Sequence, residues 1–448
     1  MLNLNNLRHK STLSAFHDGF DRALGGLFLS HYNPRISVFG IVGGKSTSFS
    51  RNTLKVKNLV KQLPNKHFFI FCLLLQAAST LAVAQEKALP EAIQKAGIVE
   101  AMSRNMPASV KDLPVFGSID WTVKELPFVG KGPQQGISGM GMVAAQGRIY
   151  LIGGFIPGGD GTHDLAHRTS RWAFQYSPGS DRWEKLPDLP ARREYTRAIA
   201  TDHEIYVLGG AVQGRPAVPS ADVFRLSLSS SPPAWQKAGE LTVPRSHTAV
   251  GKVGRYLVVA GGNRYDIKEK GYSPKTIQGV TDVFDLTKPT QGWRQGAPIP
   301  GSPRGWTAAS ALEGRLLVFG GTTFKESDGG VGAKIREALS YDPVMDKWTS
   351  LAEPPVAVSG WQSAVYNHRY VIVVGGVSSL WNDVPFVYDA VADRWMRIDS
   401  PLPPGGLFND PGVCIIGDTI YVTGSEGPEG SHFNYFLAGR IRAKSKAN

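Results

Sequence analysis

Short apolar runs alternate with polar turns along most of the chain, and one arrangement of them recurs six times. In each copy a Trp-bearing segment is followed by a Pro-rich turn and then by an apolar run that ends in glycine. Successive copies lie about fifty to sixty residues apart, which is the period range of four-stranded propeller blades. The Trp residues are Trp121, Trp183, Trp235, Trp293, Trp348 and Trp395. The glycine pairs are Gly153-Gly154, Gly209-Gly210, Gly261-Gly262, Gly320-Gly321 and Gly375-Gly376, with a degenerate sixth at Thr423-Gly424.

One copy, residues 303–350, shows what each repeat encodes. Apolar segments at 307–312, 316–319 and 338–342 are separated by a Glu-Gly turn and by a long polar stretch, and a fourth segment begins at Lys347. This order predicts a four-stranded antiparallel meander. We expect the glycine pairs where neighbouring backbones approach too closely for a Cβ, and the Trp rings between adjacent sheets.

The two ends of the repeat array predict how it closes. Trp121 precedes the first glycine pair, so its strand has no blade of its own, whereas the last copy ends without a Trp strand. We therefore predict an all-β, six-bladed propeller in which an N-terminal strand completes the last blade. Closure of this kind removes both exposed sheet edges.

The segment before the repeats predicts export. Within residues 66–85 an apolar core, which is short for a membrane span, is followed by the small residues Ala82-Val83-Ala84, and lysines precede the core. This is the pattern of a secretory signal cleaved after Ala84, and it predicts a secreted or periplasmic protein without stable membrane insertion. The signal lies unusually far from Met1, which favours an over-extended gene model with initiation near residues 54–59. A genuine long leader or a membrane anchor is the alternative.

The predicted organisation is therefore a leader at 1–84, a short and partly helical linker at 85–116, the propeller at 117–442 and a tail at 443–448. Residues 1–84 carry ten Lys or Arg and two Asp or Glu, a net +8 of the chain's +12. Because most of the basic charge leaves with the leader, nucleic acid is not an expected partner. Cys72 leaves too, so Cys414 remains alone and no intramolecular disulfide is expected.

The repeated glycine pairs, the spaced Trp residues, and Tyr341-Asp342 and Tyr388-Asp389 resemble the Kelch family of β-propellers over residues 117–440. In combining six predicted blades with predicted export, the chain resembles the N-acetylneuraminate epimerase (sialic acid mutarotase) group. That resemblance implies an anionic sugar substrate and an acid directly after a glycine pair. Only Glu426 matches that position here, and no Arg follows it closely.

Aligning the copies predicts a ligand site at one mouth of the central channel. The long segments after the glycine pairs lie on the same face as the connections between blades, and binding loops typically lie on such a scaffold. Two aligned columns enter the innermost strands there. They supply the predicted ligand-binding residues Arg193, Tyr195, Arg245, His247, Arg304, Trp306, Trp361 and Asn409. Guanidinium groups suit a carboxylate and rings suit sugar C–H faces, although such arginines also hydrogen-bond loop carbonyls between blades.

The candidate acid–base residues at this mouth are Glu194, Asp410 and Glu426. His163 and His167 lie with Asp160 and Asp164 in the first long loop, where a divalent metal could bind. A loop fixes no ligand geometry, so we expect solvated polar residues there, and we predict neither a metal site nor a cofactor.

Two functions fit these features. The first is an exported recognition module that binds a glycan or a protein through its long-loop face. The alternative is a sialic acid mutarotase that acts on an anionic sugar at the channel mouth by proton transfer. Whether the chain is an enzyme stays open at this point. Sialidase is disfavoured because its Ser-x-Asp-x-Gly-x-Thr-Trp boxes are absent from the sequence, and galactose oxidase chemistry because Cys414 lies inside an apolar strand.

Overall fold

The computed structural model describes residues 28–29, 38–42, 45–49, 101–130, 136–157, 168–212, 218–264, 273, 275–324, 332–403, 409–427 and 432–444. The chain divides into two compact units, Met1–Ala92 and Ile93–Asn448. In the first unit, strands β1 (Phe28–Leu29), β2 (Val38–Val42) and β3 (Lys45–Phe49) form an antiparallel sheet. The predicted signal and its cleavage site at Ala84 lie outside the described residues.

The second unit is all-β and propeller-like, as the repeat predicts. A short helix α1 (Ala108–Lys111) precedes β4 (Val115–Glu125). Four separate four-stranded antiparallel meanders follow, in which the strands pair in chain order. The first sheet is β5 (Gly141–Ala145), β6 (Arg148–Ile152), β7 (Ala173–Ser177) and β8 (Arg182–Lys185). The second sheet is β9 (Arg197–Ala200), β10 (Glu204–Leu208), β13 (Asp222–Ser227) and β14 (Trp235–Glu240).

The third sheet is β15 (Ala249–Val253), β16 (Tyr256–Ala260), β17 (Thr281–Asp285) and β18 (Trp293–Gly296), with a 3-10 turn at Pro289–Gln291. The fourth is β19 (Ala308–Leu312), β20 (Arg315–Phe319), β23 (Ala338–Asp342) and β24 (Lys347–Leu351). Two small ribbons extend from the glycine pairs: β11 (Ala211–Val212) with β12 (Val218–Pro219), and β21 (Thr322–Phe324) with β22 (Gly332–Lys334).

The last strands form one eight-stranded sheet. Its first half is β25 (Ser359–Tyr366), β26 (Tyr370–Val377), β27 (Phe386–Asp389) and β28 (Arg394–Ile398), and its second half contains β29 (Gly412–Ile416), β30 (Thr419–Thr423) and β31 (Tyr435–Ala443). Strand β4 lies between the halves. It pairs antiparallel with β31 from Glu125 to Gly117, and in parallel with β28 only near Val115 and Gly117.

The first strands of successive sheets pack side by side in the order β5, β9, β15, β19, β25 and β29, and β29 also packs against β5. This arrangement places two faces at opposite ends of the first strands. We call the end where these strands begin the loop face, because the segments after the glycine pairs emerge there. The opposite end, which carries the turns between first and second strands and between third and fourth strands, is the turn face.

The glycine pairs have the close-approach role predicted for them. Gly261 and Gly262 both have positive φ, 63° and 104°. A Cβ on Gly261 would lie 2.3 Å from the carbonyl oxygen of Arg304 in the next repeat, and one on Gly262 would lie 2.6 Å from that of Ser246. No side chain beyond glycine fits there without moving backbone.

The Trp rings connect neighbouring sheets. The indole Nε1–H groups of Trp235, Trp348 and Trp395 donate to the carbonyls of Pro187, Ala297 and Ala352 in the preceding sheet, at 2.8, 2.9 and 2.8 Å. These rings also pack in the apolar clusters between sheets. Their role in the described structure is therefore to join sheets.

Residues 101–113 do not behave as a free linker. Met102 is fully buried in the apolar cluster that contains Trp361 and Trp395. Its backbone N–H donates to Trp381 at 2.8 Å, and the Ser103 N–H donates to Asp383 at 2.8 Å. This segment therefore contributes to the core beside the fifth repeat.

Candidate functional site

A ring of left-handed residues marks the loop face where the first strands begin. Its members are Gly139, Tyr195, His247, Trp306, Gly360 and Asp410, with φ between 48° and 72°. Four backbone hydrogen bonds join neighbours: His247 to Tyr195 at 3.1 Å, Trp306 to His247 at 3.1 Å, Gly360 to Trp306 at 2.8 Å and Asp410 to Gly360 at 2.6 Å. Bulky aromatic residues rarely adopt this conformation, and such strain is found most often at functional sites.

Five side chains meet at this ring, and we call them the mouth cluster: Glu194, Tyr195, Arg197, Asp410 and Glu426. The Tyr195 hydroxyl donates to the Glu426 carboxylate. Arg197 Nη2 donates to Asp410 Oδ1 at 3.1 Å, and this ion pair is almost wholly buried. The cluster therefore links the second sheet to the last strands of the chain.

Gly139 is what allows that link. It occupies the first-sheet position between the two partners, and a Cβ there would lie 2.8 Å from Tyr195 Cδ1 and 3.0 Å from the Tyr195 nitrogen. Because Gly139 has no side chain, the Tyr195 ring lies over it and reaches Glu426. A similar gap at Gly360 accommodates the Asn409 side chain.

The carboxyl groups of the mouth cluster titrate far from their ordinary range. Burial raises the pKa of Glu194 to about 8, against a hydrogen bond from Thr169, and the neighbouring Glu426 charge adds to the rise. Burial also raises the pKa of Glu426 to about 7, with a further contribution from Asp410. Burial raises the pKa of Asp410 as well, although Arg197 opposes the shift. Shifted carboxyls of this kind are typical of sites that bind ligands or transfer protons.

Neutral hydrogen-bonding groups surround Glu426. Asn409 Nδ2 donates to its Oε2 at 3.4 Å, and the Ser138 hydroxyl donates to its Oε1 at 3.5 Å. His432 Nδ1 lies 2.9 Å from the same Ser138 hydroxyl, and burial lowers the pKa of this imidazole to about 4. The histidine is therefore uncharged near neutral pH, and it adds no positive charge beside the carboxyls.

An aromatic arc continues from the mouth cluster across the next two sheets. The Tyr195 and His247 rings stack with centroids 4.0 Å apart, and the His247 and Trp306 rings lie 4.2 Å apart. Tyr195 and Trp306 are partly exposed, whereas His247 is buried. The loop face thus presents two ring systems next to a set of carboxyl groups.

The side chains of the three predicted ligand arginines bind partners within their own repeats. Arg193 pairs with Asp222, Arg245 with Asp282 and Arg304 with Glu337, and all three guanidinium groups are buried. Arg245 also donates to the carbonyls of Val243, Val259 and Gly261 at 2.9, 3.1 and 2.9 Å. Such contacts, to carboxylates and backbone carbonyls of the protein itself, are those expected if the arginines hold the repeats together instead of binding a ligand. A ligand-binding role for the arginines stays a prediction that gains no support from the geometry.

Trp361 does not lie at the mouth, and its predicted position is corrected here. It is fully buried, donates through Nε1 to the Phe319 carbonyl at 2.9 Å, and stacks on Trp395. Gly360 occupies the ring position instead. The turn between β25 and β26 contains one additional residue. Counting back from the glycine pair therefore reached Trp361, one residue beyond the true ring position, Gly360.

Asn409 borders the ring, whose member in the last repeat is Asp410. Here the sixth glycine pair is Gly424-Ser425 rather than Thr423-Gly424. The Ser425 N–H donates to the Ile137 carbonyl at 2.8 Å, and Gly154, Gly210, Gly262 and Gly321 make the equivalent bond to the segment that enters the next repeat. Glu426 therefore follows the degenerate pair directly, and the structure brings it together with Glu194 and Asp410.

Arg197 was missed from the sequence, although a signal for it exists. The residues two positions after each ring member are Gly141, Arg197, Ala249, Ala308, Gln362 and Gly412. Four of the six are Gly or Ala, so a long polar side chain in this column is exceptional. Both exceptions, Arg197 and Gln362, donate to Asp410 Oδ1, at 3.1 and 3.3 Å.

The possible metal ligands Asp160, Asp164, His163 and His167 lie outside the described residues. Within the part of the chain that is described, no group of three or more His, Cys, Asp or Glu side chains has an arrangement that could hold a metal ion. In that same part, no helix has both the length and the apolar character needed to cross a membrane.

Comparisons with known proteins agree with the repeat structure. Residues 137–190 match the Kelch motif. The chain is 27% identical to the Kelch-like protein terF of Aspergillus terreus over 62% of its length, and 31% identical to beta-scruin of Limulus polyphemus over 50%. It is 26% identical to human Kelch-like protein 34 over 57% of its length. These findings support a Kelch-repeat family.

The matched regions cover only part of each relative. They amount to 57% of the terF protein, 24% of beta-scruin and 38% of Kelch-like protein 34. The chain therefore spans only part of the length of these relatives. A specific similarity to sialic acid mutarotases is not among these findings.

Proposed function

We propose that this Kelch-repeat propeller is an exported recognition module that binds a glycan or a protein through its loop face. The observation that carries the proposal is the mouth cluster beside the aromatic arc. The left-handed backbone at Tyr195, His247 and Trp306 and the burial of Asp410 both reduce the stability of the folded protein. The arginine ion pairs, by contrast, stabilise the repeats around them. Kelch-repeat relatives favour protein interaction as the general role.

We also propose that the propeller has six blades and is closed by β4. The order of the first strands, with β29 packed against β5, supports six blades in a ring. The two halves of the eight-stranded sheet then count as two blades, because the parallel contact between β28 and β4 is short and contains a register shift. Pairing of β4 with β31 over nine residue pairs supports closure by the N-terminal strand.

Export remains a proposal that rests on the sequence of residues 66–85. The expected location is secreted or periplasmic, and the expected mature chain begins at Gln85. A mature charge near +4 gives no reason to expect a nucleic-acid partner.

Site-specific photocrosslinking tests the recognition proposal. A photoreactive amino acid at Arg264, which is exposed on the loop face, is compared with one at Met345, which is exposed in a third-to-fourth-strand turn on the turn face. Capture of one defined partner from Arg264 and none from Met345 supports the proposal. Equal capture from both positions, or capture from Met345 alone, contradicts it.

A second candidate function is sugar isomerisation of the mutarotase type. It is favoured by Glu194 and Glu426, whose pKa values of about 8 and about 7 suit proton exchange near neutral pH. The interconversion of N-acetylneuraminate anomers, followed by NMR, tests it. An enzyme accelerates the interconversion, and Glu426→Gln abolishes the acceleration while Glu240→Gln retains it. A rate equal to that of buffer alone contradicts this candidate.

A further inference from the structure

Two buried polar atoms of the mouth cluster lack hydrogen-bond partners among the described residues. They are Asp410 Oδ2, an acceptor, and Arg197 Nε–H, a donor. Both belong to side chains that are joined through Arg197 Nη2 and Asp410 Oδ1 at 3.1 Å, so the two unpaired atoms belong to the same ion pair. Leaving such buried atoms unpaired is unfavourable, because each has lost its hydrogen bonds to water without replacing them. A group that completes this site must therefore donate to one atom and accept from the other.

A hydroxyl group satisfies both requirements with one oxygen atom. A carboxylate would satisfy Arg197 Nε–H but would bring a like charge to Asp410. An ammonium group would satisfy Asp410 Oδ2 but has no lone pair for Arg197. Because the site offers one unpaired donor and one unpaired acceptor, neither an anion nor a cation can satisfy both.

The rest of the mouth agrees with an uncharged ligand. The positive charges of Arg193, Arg245 and Arg304 are already paired with carboxylates in the framework. Burial raises the pKa of Glu194 to about 8 and that of Glu426 to about 7, so near neutral pH Glu194 is mostly protonated and Glu426 is divided between its protonated and ionised forms. Protonated carboxyls both donate and accept, as hydroxyl-bearing ligands demand.

The partly exposed rings supply the apolar half of such a site. Tyr195 and Trp306 lie on either side of His247 in one stacked series. Flat aromatic faces beside hydrogen-bonding groups suit a ligand with C–H faces and hydroxyl edges.

We propose that the loop-face mouth binds an uncharged polyhydroxylated ligand, a neutral sugar ring, with one hydroxyl between Asp410 Oδ2 and Arg197 Nε. The sugar ring packs against the partly exposed side chains of Trp306 and Tyr195. This inference rests on the proposed role of the loop face in recognition, and it replaces the anionic sugar expected from the sequence by a neutral one.

Calorimetric titration of the protein tests the inference. The probes are the methyl pyranosides of glucose, galactose, mannose and N-acetylglucosamine, with N-acetylneuraminate as the anionic counterpart. Each is titrated at low and at high salt, because only charged ligands lose affinity through screening. We expect at least one neutral glycoside to bind with an affinity that salt leaves unchanged. Trp306→Leu should weaken it about tenfold, or about 1.4 kcal/mol, and the exposed Glu240→Gln should leave it unchanged.

A crystal structure with that glycoside should show a sugar hydroxyl between Asp410 and Arg197. The inference is overturned if none of the neutral glycosides binds, if Trp306→Leu binds as the wild type does, or if only water lies between the two side chains. Stronger, salt-sensitive binding of N-acetylneuraminate also overturns it. Such binding of N-acetylneuraminate would overturn the neutral-sugar inference but would leave the proposal of recognition at the loop face intact. A protein partner bound at the loop face, with no affinity for any sugar, would also overturn only the inference.

Discussion

Replacing Arg245 by alanine distinguishes the framework role of the arginine column from a ligand role. Arg245 and its partner Asp282 have no exposed side-chain surface, and their charged atoms lie 2.8 Å apart. Among the described residues, the substitution leaves the buried Asp282 carboxylate with the Thr242 amide and hydroxyl as its donors, at 3.0 and 2.6 Å. It also removes the guanidinium donors to the backbone carbonyls of Val243, Val259 and Gly261.

Breaking a buried ion pair by removing one partner costs about 3–5 kcal/mol. At about 2–4 °C per kcal/mol this corresponds to roughly 6–20 °C for a chain of about 150–250 residues, and because the shift shrinks with chain length we expect the melting temperature here to fall by roughly 5–15 °C. Differential scanning calorimetry measures the fall. Arg442→Ala provides the matched control, because its ion pair with Asp120 is exposed, with relative side-chain areas of 52% and 60%, and such pairs contribute little.

A second variant identifies the cause of the loss. In Arg245→Ala/Asp282→Asn the buried carboxylate is absent, so the double variant should regain part of the stability lost by Arg245→Ala. The ligand affinity of folded Arg245→Ala should equal that of the wild type. An unchanged melting temperature together with lost affinity would refute the framework role and return Arg245 to the ligand site.

Four further predictions follow from other parts of the chain. Burial raises the pKa of Glu194 in the folded protein to about 8, above its ordinary value of 4.5, so its contribution to stability is present at pH 4 and is lost as the pH rises to 8. Glu194→Gln should therefore flatten the dependence of the melting temperature on pH over that range. Gly139→Ala should displace Tyr195 from Glu426 and weaken ligand binding, as titration would show, whereas Gly147→Ala, where the new Cβ meets nothing, should not. Deleting β4 should abolish the single cooperative melting transition, because β31 then keeps only β30 as a described partner strand and becomes an exposed edge. Mass spectrometry of exported protein should find a chain that begins at Gln85, and an intact segment before Phe68 would contradict this.

The sequence predicted the sheets well because the repeat encodes them locally. Alternating strands, turn glycines and Trp positions recur in every copy, so each copy supports the interpretation of the others. In the fourth repeat, the predicted segment at 338–342 coincides with β23 and the segment at 316–319 lies within β20.

The site was predicted only in part, because it depends on contacts between distant repeats. Tyr195 and Glu426 are 231 positions apart, and their contact depends on an empty position at Gly139. No local pattern reports such a contact. Single-residue shifts in the last two repeats also moved Trp361 and Asn409 away from the ring positions, because columns aligned on glycine pairs cannot detect a lengthened turn or a degenerate pair.

The aligned arginines illustrate a different limit of prediction from the sequence. A guanidinium group near a channel mouth fits an anionic ligand and a loop framework equally well until its partners are known. Asp222, Asp282 and Glu337 lie 29, 37 and 33 positions after their arginines, within the same repeats. An acidic residue at the start of the third strand was therefore the sequence signal for pairing.

The central claim is that the aromatic and acidic loop face is the face that recognises a ligand. Hydroxyl-radical footprinting with and without the captured partner measures this most directly, since Tyr195 and Trp306 report on the loop face and the exposed Met345 reports on the turn face. The account predicts that oxidation of Tyr195 and Trp306 falls on binding while oxidation of Met345 stays constant. Protection of Met345 with unchanged Tyr195 and Trp306 would contradict it.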